Sequence, residues 1–169
     1  ALDCLREMLV EGVLPNNITL VSSLKACGSI GAVDKGKEIH AEIIRKGLLK
    51  KDHTLGSALV DMYVKCGLCL QAQQVFDEIS VRNVISWNAL ITGYVQYGMA
   101  DSALNCIEQM QSEGIFPDDV TFLCCLKACS SLGNGDRGRK VHTQVDGTGF
   151  LENYPATGNA LVDMYAKCG

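Results

Sequence analysis

The sequence ALVDMYVKCG at residues 58–67 returns as ALVDMYAKCG at residues 160–169, an offset of 102 residues. The same offset relates His40 to His142, and a more divergent copy lies between them around Trp87-Asn88-Ala89-Leu90. Self-similarity at a fixed spacing is typical of a solenoid, in which each repeat buries its apolar face only against its neighbours. The repeat therefore predicts an extended binding surface rather than an enzyme.

Composition places the chain among folded, water-soluble proteins. It has 169 residues, is 47% hydrophobic and carries a net charge of −4. No apolar stretch approaches the roughly 20 residues that a membrane span requires.

The chain begins inside a helical pattern at Ala1-Leu2 and stops in mid-repeat at Gly169, so we expect it to be a segment of a longer protein. Three of its nine cysteines, Cys4, Cys27 and Cys66, recur at the 102-residue offset, which predicts free thiols used as small packing residues.

Glycines mark the ends of the predicted helices. Glycine just past a helix end adopts the left-handed conformation at little steric cost. The glycines in question are Gly12, Gly31, Gly47, Gly67, Gly98, Gly114, Gly133, Gly149 and Gly169. The predicted N-caps are Thr19, Ser86, Thr121 and Thr157. Apolar residues between these signals follow a helical period, which predicts units of two antiparallel helices, first A and then B.

These signals divide the chain into successive units. The predicted ranges are an incomplete unit at 1–16, complete units at 17–52, 53–83, 84–118 and 119–154, and a truncated unit at 155–169. The complete units contain 36, 31, 35 and 36 residues. The three unit lengths follow one another in a fixed order, which is a more specific pattern than a plain repeat of helix hairpins.

The motifs carry a family resemblance. They are VISWNALITGY at 84–94, SALVDMYVKCG at 57–67, and LKAC at 126–129 with Val141-His142. The chain resembles the plant pentatricopeptide repeat (PPR) family, in the subclass that alternates long, short and standard motifs. That resemblance implies an all-α fold, a right-handed superhelix of antiparallel helix hairpins. It also implies single-stranded RNA along the A helices, read at about one base per repeat, with no enzymatic activity, cofactor or metal.

The resemblance also assigns residues to the RNA. The family reads a base with the fifth and last residues of a motif, which here pairs Asn88 with Asp118 for uracil and Ser57 with Asn83 for adenine. Asn159 is the fifth residue of the truncated unit. In the long motifs the pairs are Val21 with Asp52 and Leu123 with Tyr154, and no base is assigned to them because the side chains of Val21 and Leu123 can neither donate nor accept a hydrogen bond. The second residues, expected to flank the bases, are Ile18, Thr54, Ile85, Val120 and Ala156. The lysines of the A helices, expected near the RNA backbone, are Lys25, Lys65, Lys127 and Lys167.

By resemblance, the partner is an organellar transcript in a mitochondrion or chloroplast. The implied role is a specificity factor in RNA processing such as C-to-U editing. An editing deaminase or accessory factor would act in trans or from a C-terminal region. No membrane partner is expected.

Two other functions fit parts of the sequence. A protein-binding scaffold of the tetratricopeptide kind would also be helical, but it has units of 34 residues and a W-x2-L-G-x2-Y pattern that this chain lacks. His40-Ala41-Glu42 followed by Cys66 and Cys69 resembles a zinc deaminase pattern. The glutamate does not recur after His142, and Lys65 rather than proline precedes Cys66, so we predict that His40 packs inside the repeat.

Overall fold

The computed structural model describes residues 2–50, 52–149 and 154–168, and its regular secondary structure within those ranges is helical. The helices are α1 (Leu2–Val10), α2 (Asn17–Ile30), α3 (Val33–Arg45), α4 (His53–Lys65), α5 (Cys69–Glu78), α6 (Val84–Gln96), α7 (Ala100–Ser112), α8 (Asp119–Leu132), α9 (Gly135–Asp146) and α10 (Pro155–Cys168). Of the helices in these ranges, none combines the length and the hydropathy needed to cross a membrane.

Two classes of helix alternate along the chain. We call α2, α4, α6, α8 and α10 the A helices and the others the B helices. Each A helix begins at the first residue of a predicted unit. In each complete unit, a B helix follows the A helix after a short connection. The alternation positions the first turn of every A helix next to the connection that precedes it.

The chain forms two compact units, Ala1–Gly93 and Tyr94–Gly169. In the first unit, α2 packs on its hairpin partner α3 and on the next A helix, α4, which in turn packs on α5. In the second unit, α8 packs on α9 and on α10 in the same manner. Each of these hairpins therefore shares its core with the following A helix, as the repeat predicted.

The core follows the predicted apolar stripe. Trp87 is 1% exposed, and its ring lies 4.5 Å from that of Phe76 in an edge-on arrangement. Leu90 and Ile91 are buried on the same helix. Trp87 therefore belongs to the core.

The described glycines of the predicted set end helices as expected, except at α9, where Gly147 (φ −70°) follows the last helical residue and Gly149 lies two residues further on. Positive φ angles occur at Gly12, Gly31, Gly47, Gly67, Gly98, Gly114, Gly133 and Gly149. At Gly31, for example, φ is 68° and the backbone N–H donates to the carbonyl of Cys27, which closes the end of α2. Gly169 lies outside the described residues.

The predicted N-caps were wrong, because three of them lie three residues too far along the chain. Thr19, Ser86 and Thr121 are inside the first turn of their helices, whereas the caps are Asn16, Asn83 and Asp118. Thr157 also lies inside its helix, since α10 begins at Pro155. The hydroxyl residues and the Asn or Asp residues three positions earlier belong to one hydrogen-bonded cap, so either could have been taken for the cap itself.

The recurring cysteines divide by environment. Cys27, Cys106 and Cys129 are buried, which confirms the packing role predicted for those positions. Cys4 is exposed, so the prediction was wrong there. Burial raises the pKa of the Cys27 thiol, with neighbouring Cys66 acting in the same direction, and so keeps Cys27 protonated.

Candidate nucleic-acid interface

The second residue of every A helix is exposed. Ile18 is 77% exposed, Ile85 66% and Val120 40%. Thr54 and Ala156, at the same position in α4 and α10, are also exposed. Large apolar side chains thus recur on the surface at one register position of the repeat, where they could contact flat apolar groups of a ligand.

The fifth residues of the units differ in accessibility. Asn88 is half-buried on α6 and Asn159 is exposed on α10. Ser57 is only 7% exposed, and its Oγ donates a hydrogen bond of 3.0 Å to the carbonyl of His53. Ser57 is therefore less accessible than Asn88 or Asn159, and its contact with a base stays a prediction. The physical cause is that α4 is buried on nearly all sides, since residues 55–60 are buried without a break.

The last residues of the units at 17–52, 53–83 and 84–118 cap the A helices that follow them. Asn83 Oδ1 accepts a hydrogen bond of 2.9 Å from the N–H of Ser86, at the start of α6. Asp118 Oδ1 accepts bonds of 2.9 Å from both the N–H and the hydroxyl of Thr121, at the start of α8. Asn83 and Asp118, two of the residues predicted to read a base, therefore also cap a helix N-terminus, which holds their side chains in place.

Asp52, the last residue of the first long unit, is held more tightly. Its Oδ1 accepts from the N–H of Thr54 at 2.8 Å, and its Oδ2 accepts from Nδ2 of Asn17 at 2.7 Å. Desolvation raises the pKa of the Asp52 carboxyl, but the hydrogen bonds from Thr54 and Asn17 outweigh it and bring the pKa below its usual value. Asp52 therefore links the start of α4 to the start of α2.

The four A-helix lysines fall into two groups. Lys65 lies 2.7 Å from Asp61 and Lys167 lies 2.9 Å from Asp163, in each case one helical turn away. Lys25 on α2 and Lys127 on α8 are equivalent to each other in the repeat, and both are exposed. The carboxylates of Asp61 and Asp163 partly compensate the positive charges of Lys65 and Lys167. Lys25 and Lys127 are therefore the stronger candidates for phosphate contacts.

The residues of the deaminase-like pattern do not come together as a site. His40 Nδ1 lies 2.8 Å from the hydroxyl of Tyr63, and Glu42 is bound by Arg45 and Lys46. Within the part of the chain that the structure describes, no three His, Cys, Asp or Glu side chains are grouped so that they could hold a metal ion. His40 packs inside the repeat, as predicted.

The sequence did not reveal Ser86 and Thr121 as partners of the capping residues, because these two hydroxyl residues were predicted to be the caps. Ser86 and Thr121 are buried, and each exchanges hydrogen bonds with the last residue of the preceding unit. In the sequence, an Asn or Asp is followed three residues later by a Ser or Thr. This pattern is similar to a capping box and could have identified the caps.

Comparison with known proteins agrees with this geometry. Residues 82–131 match the PPR repeat family, and residues 57–84 match the PPR repeat. The chain is 43% identical over 158 residues to a pentatricopeptide repeat-containing protein of Arabidopsis thaliana, covering 94% of this chain and 22% of that protein. It is 40% identical over 169 residues to a chloroplastic pentatricopeptide repeat-containing protein of the same plant, covering 100% of this chain and 27% of that protein. The chain spans about a quarter of the length of these relatives.

Solved structures show the same fold. The crystal structure of the pentatricopeptide repeat protein PPR10 in complex with an 18-nucleotide psaJ RNA element matches with a TM-score of 0.75 at 24% identity, over 92% of this chain and 24% of that one. The structure of PPR10 from maize matches with a TM-score of 0.73 at 22% identity, over 97% of this chain and 25% of that one. The predicted fold class, an all-α solenoid of helix hairpins, is confirmed.

Proposed function

This chain is a PPR-repeat protein, and on that premise we propose that it binds single-stranded RNA through the first turns of its A helices. The observation that carries the proposal is the recurrence of exposed apolar side chains at the second position of these helices, Ile18, Ile85 and Val120 among them. In α6 the exposed Ile85 is two residues from the cap Asn83. Apolar contact combined with a hydrogen-bonding group is what holds and identifies an unstacked base.

The resemblance to solved relatives supports the same ligand. PPR10, whose fold this chain shares, has been crystallised in complex with an RNA element. In the chain itself, the proposed base-reading set is Asn88, Asp118, Ser57, Asn83 and Asn159, and Ser57 is the most buried of them.

The finer role is a specificity factor for an organellar transcript. The rotation of long, short and standard units supports membership of the subclass with alternating motifs. Relatives named as chloroplastic and mitochondrial support an organellar location. Selection of cytidines for editing, with a deaminase supplied in trans or by another region of the protein, is the activity proposed for the whole molecule.

Selection from a randomised RNA pool tests the proposal. The full chain should enrich particular bases at successive positions, and an excess of matching single-stranded RNA should compete better than duplex RNA. No enrichment, together with protein partners that survive ribonuclease treatment, would instead identify a tetratricopeptide-like scaffold.

Replacement of Asn88 tests the readout directly. Asn88→Ala should reduce discrimination at one nucleotide by about three- to tenfold, because one hydrogen bond to the base is lost. Gln74→Ala, on the B helix α5 where the side chain is exposed, is the matched control and should leave the profile unchanged. An identical profile for wild type and Asn88→Ala would count against Asn88 as a base reader.

A further inference from the structure

An exposed apolar side chain recurs two positions before the cap of an A helix, at a place that we call the pre-cap position. The residues concerned are Leu14 before the cap Asn16, Val81 before Asn83 and Phe116 before Asp118. The exposed fractions of the three apolar side chains are 76%, 66% and 88%, in that order. One exposed apolar residue is ordinary on a protein surface, but recurrence at the same place in three units indicates a shared contact.

The backbone is extended where the chain enters α2 and α8. The φ and ψ angles are −86° and 176° at Asn16, and −104° and −173° at Asp118. Side chains two residues apart in an extended chain point toward the same side. Phe116 therefore lies on the side of the chain that carries the cap Asp118, and Pro117 between them is partly buried.

Proline holds two of the pre-cap residues in place. Pro15 follows Leu14, and Pro117 follows Phe116. A residue that precedes proline is restricted to extended backbone, because the proline ring clashes with the helical conformation. Leu14 and Phe116 therefore lose little backbone freedom when they contact a ligand, which favours binding.

A different contact fixes the connection before α6. Arg82 stands in place of the proline, and its guanidinium lies 4.8 Å from the centre of the Phe76 ring. Val81 is exposed and lines a small cavity together with Lys50 and His53, the first residue of α4. The pre-cap position therefore lies next to the first turn of an A helix, which is the end of the helix where RNA is proposed to bind.

The first long unit departs from this arrangement. The N–H of Asp52 donates to the carbonyl of Leu48 at 3.0 Å, so the chain turns just before the cap of α4. The pre-cap residue of this unit is Lys50, which is charged and exposed. The apolar contact is therefore restricted to the connections before α2, α6 and α8.

We propose that Phe116 stacks on a nucleobase of bound single-stranded RNA, and that Leu14 and Val81 make the equivalent apolar contact before α2 and α6. The inference deepens the proposed RNA-binding function and depends on it. An aromatic ring can stack on the flat face of any base, so this contact adds affinity without choosing a sequence. Phe116 carries most of the effect, because it is the one aromatic residue of the three.

The experiment measures the affinity of the full chain for the single-stranded RNA that the wild type enriches from a randomised pool, with thermal unfolding measured on every variant. Phe116→Ala should weaken binding about fivefold or more and leave the base preference at every position unchanged. Phe116→Tyr should retain the wild-type affinity, because it keeps the ring. Leu132→Ala, at the opposite end of α8 where the side chain is 40% exposed, is the control and should bind as the wild type does.

A fluorescence measurement tests whether the side chain at position 116 meets the RNA. The chain has one tryptophan, Trp87, which is buried, so Phe116→Trp adds a single exposed reporter. RNA should quench the emission of Phe116→Trp through stacking, and it should leave that of Leu132→Trp unchanged. Equal affinities of wild type and Phe116→Ala, or emission of Phe116→Trp that saturating RNA does not alter, would overturn the stacking contact alone. Absence of RNA binding by the wild-type chain would instead overturn the proposed function.

Discussion

The imidazole Nδ1 of His40 lies 2.8 Å from the hydroxyl oxygen of Tyr63, and the rings meet edge to face with centroids 5.5 Å apart. The pair recurs as His142 and Tyr165, where the same two atoms are 2.9 Å apart. In both places the histidine belongs to a B helix and the tyrosine to the following A helix. This contact joins one hairpin to the next A helix by a hydrogen bond.

The His40 contact predicts a pH dependence of stability. Desolvation by burial lowers the pKa of His40, although Glu78 acts in the opposite direction. The unfolded chain therefore takes up a proton at a higher pH than the folded chain, so stability should fall as the pH drops below the unfolded value of about 6.5. His40→Gln should reduce the loss of unfolding temperature between about pH 7.5 and about pH 5.5. His142→Gln is the control at the equivalent position, and an equal effect from both variants would contradict a specific role for His40.

Close packing at Gly93 predicts a sharp loss of stability. A Cβ at Gly93 would lie 2.6 Å and 2.8 Å from the two γ-methyl carbons of Val64. Valine has little freedom to rotate away, so Gly93→Ala should cost about 1–3 kcal/mol in urea unfolding. Gly158→Ala, inside α10 where a Cβ would have no such neighbour within 4 Å, should be neutral or stabilising by up to about 1 kcal/mol. Similar effects for the two variants would show that α6 tolerates the extra methyl group.

Exposed apolar residues on the two helix classes should behave differently toward RNA. Ile85 on the A helix α6 is 66% exposed, and Leu70 on the B helix α5 is 74% exposed. Replacement of either by alanine should change the free energy of unfolding by no more than about 0.5 kcal/mol, because neither side chain is buried. Ile85→Ala should weaken RNA binding about threefold or more through lost contact with a base, whereas Leu70→Ala should not. Equal RNA affinities of the two variants in a filter-binding assay would count against a base-flanking role for Ile85.

The lysines predict a difference in salt dependence. Lys127 is exposed on α8, whereas Lys65 on α4 is paired with Asp61. If Lys127 neutralises a phosphate, Lys127→Gln should reduce the slope of log affinity against log salt by about 0.7. Lys65→Gln should have a smaller effect, because its charge is already partly compensated. Lys140→Gln, exposed on the B helix α9, serves as the control, and a slope change equal to that of Lys127→Gln would indicate non-specific attraction.

Local signals in the sequence predicted the helices well because they depend on short-range chemistry. The glycine at position 31 ends α2 through its own left-handed backbone, and the spacing of Trp87, Leu90 and Ile91 follows from the geometry of a single helix. The starts of the A helices were less predictable. Asn83 and Ser86 share one cap, and which of them precedes the helix depends on the backbone conformation between them.

Ser57 shows what could not be predicted from the sequence. It occupies the fifth position of its unit, as Asn88 does in the next, yet Ser57 is buried and Asn88 is only half-buried. The difference arises because α4 is enclosed by α2, α3 and α5, which contact it from several directions. No pattern within residues 53–65 encodes which neighbours will cover that turn.

The sequence by itself determined the helical period, the C-terminal ends of most helices and the repeat, since these follow from backbone preference and apolar spacing within a few turns. Only the tertiary structure decided that Ser57 is enclosed and that His40 meets Tyr63 of the following helix. The accessibility and orientation of a side chain depend on atoms that other helices and turns bring beside it, and a linear pattern does not contain those distances.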